Sequence, residues 1–234
     1  MADHVLITCE HGGNRIPPRY ASLFAGFETL LRSHRGYDPG ALALARQMAR
    51  ALAAPLYVST TSRLLIDLNR SIGHPRLYSE ATRNAPASVR REILEQHYLP
   101  YRNQVEAHTA DAIAHGSRVI HLSSHSFSPV LDGEVRNADI GLLYDPARPG
   151  EAELCRRWQA CLKTSAPEWR VRRNYPYTGK SDGLTAYLRR RFSPERYVGI
   201  ELEINQKHVL RGGRPWGALR GQVIESLCQA ITAG

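Results

Sequence analysis

Along the 234-residue chain, apolar runs of strand length alternate with stretches whose apolar positions recur at helical spacing. Runs near 4–9, 55–59, 63–67, 118–124, 139–144, 169–173 and 197–204 predict strands. Helices are expected near 40–53, where Ala41, Ala45, Met48, Ala49 and Leu52 make one stripe, and across 87–115, 151–164, 183–191 and 216–231. Pro100 should kink or divide the long one, because it lacks the N–H that a helix interior needs. Leu219, Val223, Leu227 and Ile231 give the last helix a face to bury. Alternation of this kind belongs to an α/β protein with helices packed on a largely parallel sheet. The length suits one domain over 1–234, and no repeat, low-complexity tract or linker divides it.

Two segments depart from the pattern. His11-Gly-Gly-Asn-Arg-Ile-Pro-Pro and Asn174-Tyr-Pro-Tyr-Thr-Gly-Lys-Ser-Asp-Gly mix glycine, proline and polar side chains, as irregular segments around a site do. His11 follows the apolar run Val5-Leu-Ile-Thr, and His125 follows Arg118-Val-Ile-His-Leu-Ser-Ser. Each imidazole is thereby expected at a strand end, where open α/β sheets bind ligands, and two such imidazoles suggest a metal.

Composition narrows the classes. With 42% hydrophobic and 23% charged residues, and no apolar run near the ~18 residues needed to span a bilayer, no membrane partner is expected. Met1-Ala-Asp-His leads straight into a strand rather than through a basic and then apolar leader, so the expected compartment is the cytoplasm. Cys9, Cys155, Cys161 and Cys228 lie in apolar runs or on apolar helix faces without Cys-x-x-Cys spacing, and read as free thiols. The formal charge of +9 is carried mostly by arginine, the lysines being Lys163, Lys180 and Lys207. The arginines are scattered, with no nucleic-acid motif, which leaves a solvated basic surface or a small anionic substrate.

Three further segments could carry chemistry. In Tyr197-Val-Gly-Ile-Glu-Leu-Glu-Ile-Asn, Glu201 and Glu203 share one face of a strand. The alternatives are an edge strand with a wet face, or a carboxylate that meets a metal, an arginine or a reacting water. Ser62-Arg-Leu-Leu-Ile-Asp-Leu-Asn-Arg70 ends in an Asn-Arg pair suited to gripping a carboxylate, unless Asp67 simply pairs with an arginine internally. Asp38, in His34-Arg-Gly-Tyr-Asp-Pro-Gly, stands where it could cap the first helix. The remaining histidines, His34, His74, His97, His108, His115, His121 and His208, read as surface or satisfied groups, His121 least firmly because it shares a strand face with His125.

Taken in order, Cys9-Glu-His-Gly-Gly-Asn14, Asp38, Ser62 to Arg70, His125-Ser-Phe-Ser and Glu201-Leu-Glu-Ile-Asn-Gln206 resemble the motifs of the N-formylglutamate amidohydrolase family. That family is similar in turn to the zinc carboxypeptidases. The resemblance implies a three-layer α/β/α sandwich around a mixed, largely parallel sheet. It also implies Zn2+ held by His11 and His125, Glu203 as catalytic base, and Asn69 with Arg70 on a substrate carboxylate. The third ligand is expected to be Asp38, since Asn14 replaces the glutamate that the peptidases place there and an amide ligates zinc poorly; Glu10 is the reserve. The implied reaction is hydrolysis of an acidic N-acyl amino acid, N-formyl-L-glutamate first. In it Arg63 assists at the oxyanion and Lys180 at a substrate carboxylate. The Cys-Glu-His start and the 174–183 loop differ from the formylglutamate enzymes of histidine breakdown, so the chain looks like a diverged, shorter branch.

Overall fold

The computed structural model describes residues 2–233; Met1 and Gly234, the ends of the expected 1–234 domain, lie outside them. Its centre is a six-stranded sheet built from β1 (Asp3–Cys9), β2 (Leu56–Val58), β3 (Arg118–Phe127), β6 (Ile140–Leu143), β7 (Val171–Arg173) and β8 (Tyr197–Asn205), in the order β2-β1-β3-β8-β6-β7. All neighbours run parallel except β6 and β8, so the sheet is mixed.

Helices cover both faces. On one side lie α2 (Ala41–Ala51), α5 (Pro149–Ser165) and α8 (Gly213–Thr232), over a core that includes Ile7, Leu122, Ile200, Leu202, Trp158 and Leu219. On the other lie α3 (Ala87–Ile93), α4 (Leu99–Ala114) and α6 (Leu184–Arg191), over Leu6, Leu65, Ile93, Val105, Leu184 and Tyr197. The three-layer α/β/α arrangement is thus present. Among the described residues no helix is long and apolar enough to cross a membrane. Cys9 and Cys155 are buried, Cys161 and Cys228 half-buried, and all four are free thiols.

Most predicted elements are found within a few residues of the expected bounds. The long helix is indeed divided: α3 and α4 are joined by a π-helical turn, Leu94–Tyr98, and Pro100 falls in the first turn of α4. A proline there cannot donate to the preceding turn, and widening that turn is one way a continuous rod accommodates it.

One predicted strand is absent. Residues 63–67 form turns, with Leu65 N–H donating to Ser62 O and Asp67 N–H to Leu77 O. Leu64, Leu65 and Ile66 are all buried beneath α3 and α4, so the run is apolar because it is enclosed on every side. The short α1 (Glu28–Arg32) and α7 (Gln206–Arg211) were not expected, nor was the hairpin of β4 (Val130–Leu131) and β5 (Glu134–Val135). Its turn, Asp132-Gly133, has φ of 50° and 83°, and Asp-Gly between short apolar runs is the local signal for such a turn.

Candidate metal centre and active site

β1 delivers His11 two residues past its end, immediately before a Gly-Gly pair that requires close backbone approach. Gly12 N–H donates to Ser59 O, and a Cβ on Gly13 would lie 2.7 Å from Thr60 O. Asp38 is tied to the same point, its N–H donating to His11 O at 2.9 Å. Its side chain does not cap α2, whose N-cap is Gly40 at φ 83°. Instead the carboxylate turns inward to both histidines. His125 arrives from inside β3 rather than from its end, since the strand runs on to Phe127.

His11, Asp38 and His125 are all buried and offer ligand atoms within 4.8 Å of one another. His125 Nδ1 lies 2.8 Å from Asp38 Oδ2, and His11 Nδ1 lies 3.4 Å from the same oxygen with no hydrogen-bond partner. The far nitrogens are held from behind. His11 Nε2 meets Asp67 Oδ1 at 2.7 Å, while His125 Nε2 meets Ser123 Oγ at 2.8 Å and Glu10 Oε2 at 3.2 Å. Both Nδ1 atoms therefore face the shared point, the arrangement found where imidazoles ligate a metal and donate their other N–H to a carboxylate.

Electrostatics fit a cation there. Burial alone would raise the Asp38 carboxyl, but His11 and His125 outweigh it and hold it well below the carboxylate range. Burial would lower His125, yet its bonds to Asp38 and Glu10 push it well above the ordinary histidine value. Three buried acids, Glu10, Asp38 and Asp67, are held ionised around two imidazoles, so a cation bound by the two Nδ1 atoms would take the place of a proton. Two nitrogens and one carboxylate suit zinc, and a fourth position facing the cavity is what a catalytic site needs.

The sheet places Glu203 beside this group, opposite His125 in the β3–β8 register. β8 lies inside the sheet, so the wet-edge reading of Glu201 and Glu203 does not hold. Glu203 Oε2 is buried without a partner, and burial, aided by Asp38 and Glu201, pushes the carboxyl up to about 8. Glu201 accepts a 2.7 Å bond from Thr185 Oγ1.

Arg63 makes the internal pair foreseen for Asp67, at 2.8 Å, and also reaches Asp38 at 3.5 Å while still lining the cavity. Asp67 further accepts from Asn69 N–H at 2.9 Å, turning the chain so that Asn69 and Arg70 face inward. Asn69 Oδ1 accepts from Leu184 N–H at 2.6 Å, and its Nδ2 lies 3.4 Å from His125 Nε2. Gly183 permits this approach, since a Cβ there would come within 2.8 Å of Asn69 Oδ1. Arg70 Nη1 donates to Asp182 O at 2.5 Å, but its Nε is buried with no partner. From behind, Tyr98 hydroxyl donates to Arg70 O at 2.7 Å and Arg102 to Leu68 O at 3.0 Å.

One expectation is corrected, and two other candidates are placed. Lys180 is exposed and does not line the cavity, because its loop turns Tyr177, Thr178, Ser181 and Asp182 inward instead. Asn14 points away, donating to Leu31 O at 3.0 Å. Glu10, the reserve ligand, stands behind His125, where it accepts bonds from Ser123 at 2.6 Å and Tyr101 at 3.1 Å. Strand parity could have shown this, because Leu6, Thr8 and Glu10 alternate onto the face that carries His121 and His125. His121 is a satisfied core residue bonded to Thr8 and Tyr197. His34 is exposed, as expected, and borders the same cavity.

A buried imidazole–carboxylate group, a carboxyl with an unpartnered oxygen and an arginine fork thus meet around one cavity of an α/β scaffold. The family model described as N-formylglutamate amidohydrolase matches residues 3–210, and the chain belongs to that family, a family of hydrolases acting on amide bonds. Among solved structures, a gene product of Agrobacterium tumefaciens is 29% identical, covers 98% of this chain and 90% of its own, and superposes with a TM-score of 0.83. An N-formylglutamate amidohydrolase from Ralstonia eutropha is 18% identical over 99% of this chain and 94% of that one, with a TM-score of 0.70. A metallo-carboxypeptidase from Burkholderia cenocepacia aligns over 99% of this chain and 56% of its own, at 15% identity and a TM-score of 0.40. No curated protein matches the chain at a significant level.

Proposed function

We propose that this protein is a zinc-dependent amidohydrolase that removes the N-formyl group from an acidic amino acid, with N-formyl-L-glutamate as the reference substrate. The observation that carries the reading is the convergence of His11, Asp38 and His125 beside the unpartnered oxygen of Glu203 in one cavity. Zinc held by those three residues would supply a Lewis acid and would lower the pKa of water at the site toward neutrality.

The chain's own groups do the rest. Glu203 takes a proton from the water as its oxygen attacks the formyl carbon, then delivers that proton to the nitrogen as the C–N bond breaks, giving formate and the free amine. Burial raises the Glu203 carboxyl, and the positive charge of a bound zinc would draw it back toward the range in which a carboxyl can both accept and return a proton. Arg63, held by Asp38 and Asp67, keeps positive charge beside the developing oxyanion. Arg70 offers its unpartnered Nε edge to the α-carboxylate, with Asn69 beside it. Asp67 and Glu10 fix the ring orientations of His11 and His125.

The test is formate release from N-formyl-L-glutamate by purified protein, before and after chelation and readdition of zinc. Release that is lost with the metal and restored by zinc is expected. Release that survives complete metal removal would overturn the metal-dependent mechanism, and none from folded, zinc-loaded protein would overturn the substrate.

A further inference from the structure

The cavity around the candidate centre measures about 640 Å³. N-formyl-L-glutamate has only about a dozen non-hydrogen atoms, while clefts of ~300–1,000 Å³ typically enclose much larger ligands. Much of the cavity is therefore left for something beyond that molecule.

Its charged walls show what kind of group fits. Nearly every acid lining it is already answered by the chain: Asp38 and Asp67 by Arg63, Glu80 by Arg35 at 2.6 Å, Asp182 by Ser71, and Glu201 by Thr185. The lining carboxylates and arginines are nearly equal in number, but two of the arginines are left without a partner. Arg76 and Arg83 line the same cavity, and among the described residues neither guanidinium makes a hydrogen bond or ion pair.

The segment that carries them is anchored rather than loose. Ser79 and Thr82 donate to Leu64 O, Tyr78 donates to Arg90 O at 2.7 Å, and Asp67 N–H donates to Leu77 O. Two unpaired guanidiniums thus project from fixed backbone at a cavity whose inner end already holds an arginine with a free edge. The wider field has the same sign: burial and then Arg35, Arg136 and Arg63 push His34 below the ordinary histidine value.

We propose that Arg76 and Arg83 form an outer anion subsite, and that the substrate is an N-acyl acidic amino acid bearing a third carboxylate. The proposal rests on the amidohydrolase reading above. The third carboxylate can come from two sources, an extension through the side-chain carboxyl or an anionic acyl group. In both, the α-carboxylate next to the scissile amide stays free for Arg70.

The probes are N-formyl-γ-L-glutamyl-L-glutamate and N-succinyl-L-glutamate, each compared with N-formyl-L-glutamate by kcat/KM on zinc-loaded protein. For one of the two, an advantage of at least about fivefold at low salt is expected, the size of a partly exposed ionic contact. That ratio should fall toward one in R76A/R83A and at high salt, where exposed charges are screened. Which probe gains tells the side-chain extension from the acyl extension. No advantage for either, or one that survives in the double variant, overturns the subsite. If none of the three is hydrolysed, the amidohydrolase reading fails by itself. Calorimetric binding of the three compounds to the wild type and the double variant then decides the subsite, and equal affinity for two and three carboxylates would overturn it.

Discussion

On one face of β3 and β8, Ile120, Leu122, Ile200, Leu202 and Ile204 pack against α2, α5 and α8. On the other, His121, Ser123, His125 and Glu201 stand in a layer of hydrogen bonds beside the unpartnered Glu203, although all five alternate with those same residues along the same strands. Both faces are largely shut off from water. The apolar face tolerates exchange of shape and volume, because its stabilisation is spread over many weak contacts. The polar face tolerates little, because each buried group depends on a particular partner and loss of one strands the other.

Four substitutions separate the faces. The largest effect is expected at Glu203: E203Q should reduce turnover about 10²–10⁴-fold, as loss of a general base does, while bound zinc per chain stays the same. Near-normal turnover would remove Glu203 from the reaction. On the opposite face, L122A should cost about 2–5 kcal/mol in denaturant unfolding, with zinc affinity of the folded protein unaltered. A fall in zinc affinity there would show that the two faces are mechanically coupled.

His121 supplies a pH signature. Burial pushes it down to about 4 from an ordinary 6.5. Between those values the unfolded chain binds more protons than the folded one, so acidification from 6.5 toward 4 removes stability, by roughly 3 kcal/mol over the whole window. Measured against H121Q, the wild type should lose stability across that range, and parallel unfolding curves would mean the folded ring is charged or wet. The smallest effect is expected at Glu10, where E10Q should weaken zinc binding about 10–100-fold in a chelator competition, the usual cost of removing a carboxylate behind a ligating histidine. Unchanged affinity would leave the orientation of His125 to Ser123 and Asn69.

The comparison also explains what could be read in advance. The apolar face was legible because alternation of Ile200, Leu202 and Ile204 is itself the signal of a strand face. So was the pairing of Glu201 with Glu203, by the same parity. The run Leu64 to Ile66 misled, since an enclosed loop is as apolar as a strand and periodicity cannot separate the two over so few residues. Asp38 sits where either a helix cap or a ligand would stand, and only the fold around it decides between them. The supports behind the site, Glu10 to His125 and Tyr98 to Arg70, join residues 115 and 28 positions apart. Such contacts leave no trace in local pattern.

The π-helical turn at Leu94–Tyr98 bears on how this chain can change length. Upstream of it, Glu92 receives the Tyr20 hydroxyl and Arg90 O that of Tyr78; downstream, Tyr98, Tyr101 and Arg102 reach the Asn69–Arg70 turn and Glu10. Each α-helical residue advances the rod by about 100°. A turn closed by i→i+5 bonds holds one residue more than an α-turn, so loss of a residue there can close an ordinary α-turn, whereas a residue gained or lost within α3 or α4 would swing one set of attachments away from its targets. A change of length is therefore open to this helix at the widened turn and closed to it within α3 and α4, where a gap would mark a relative that holds its anchor in some other way.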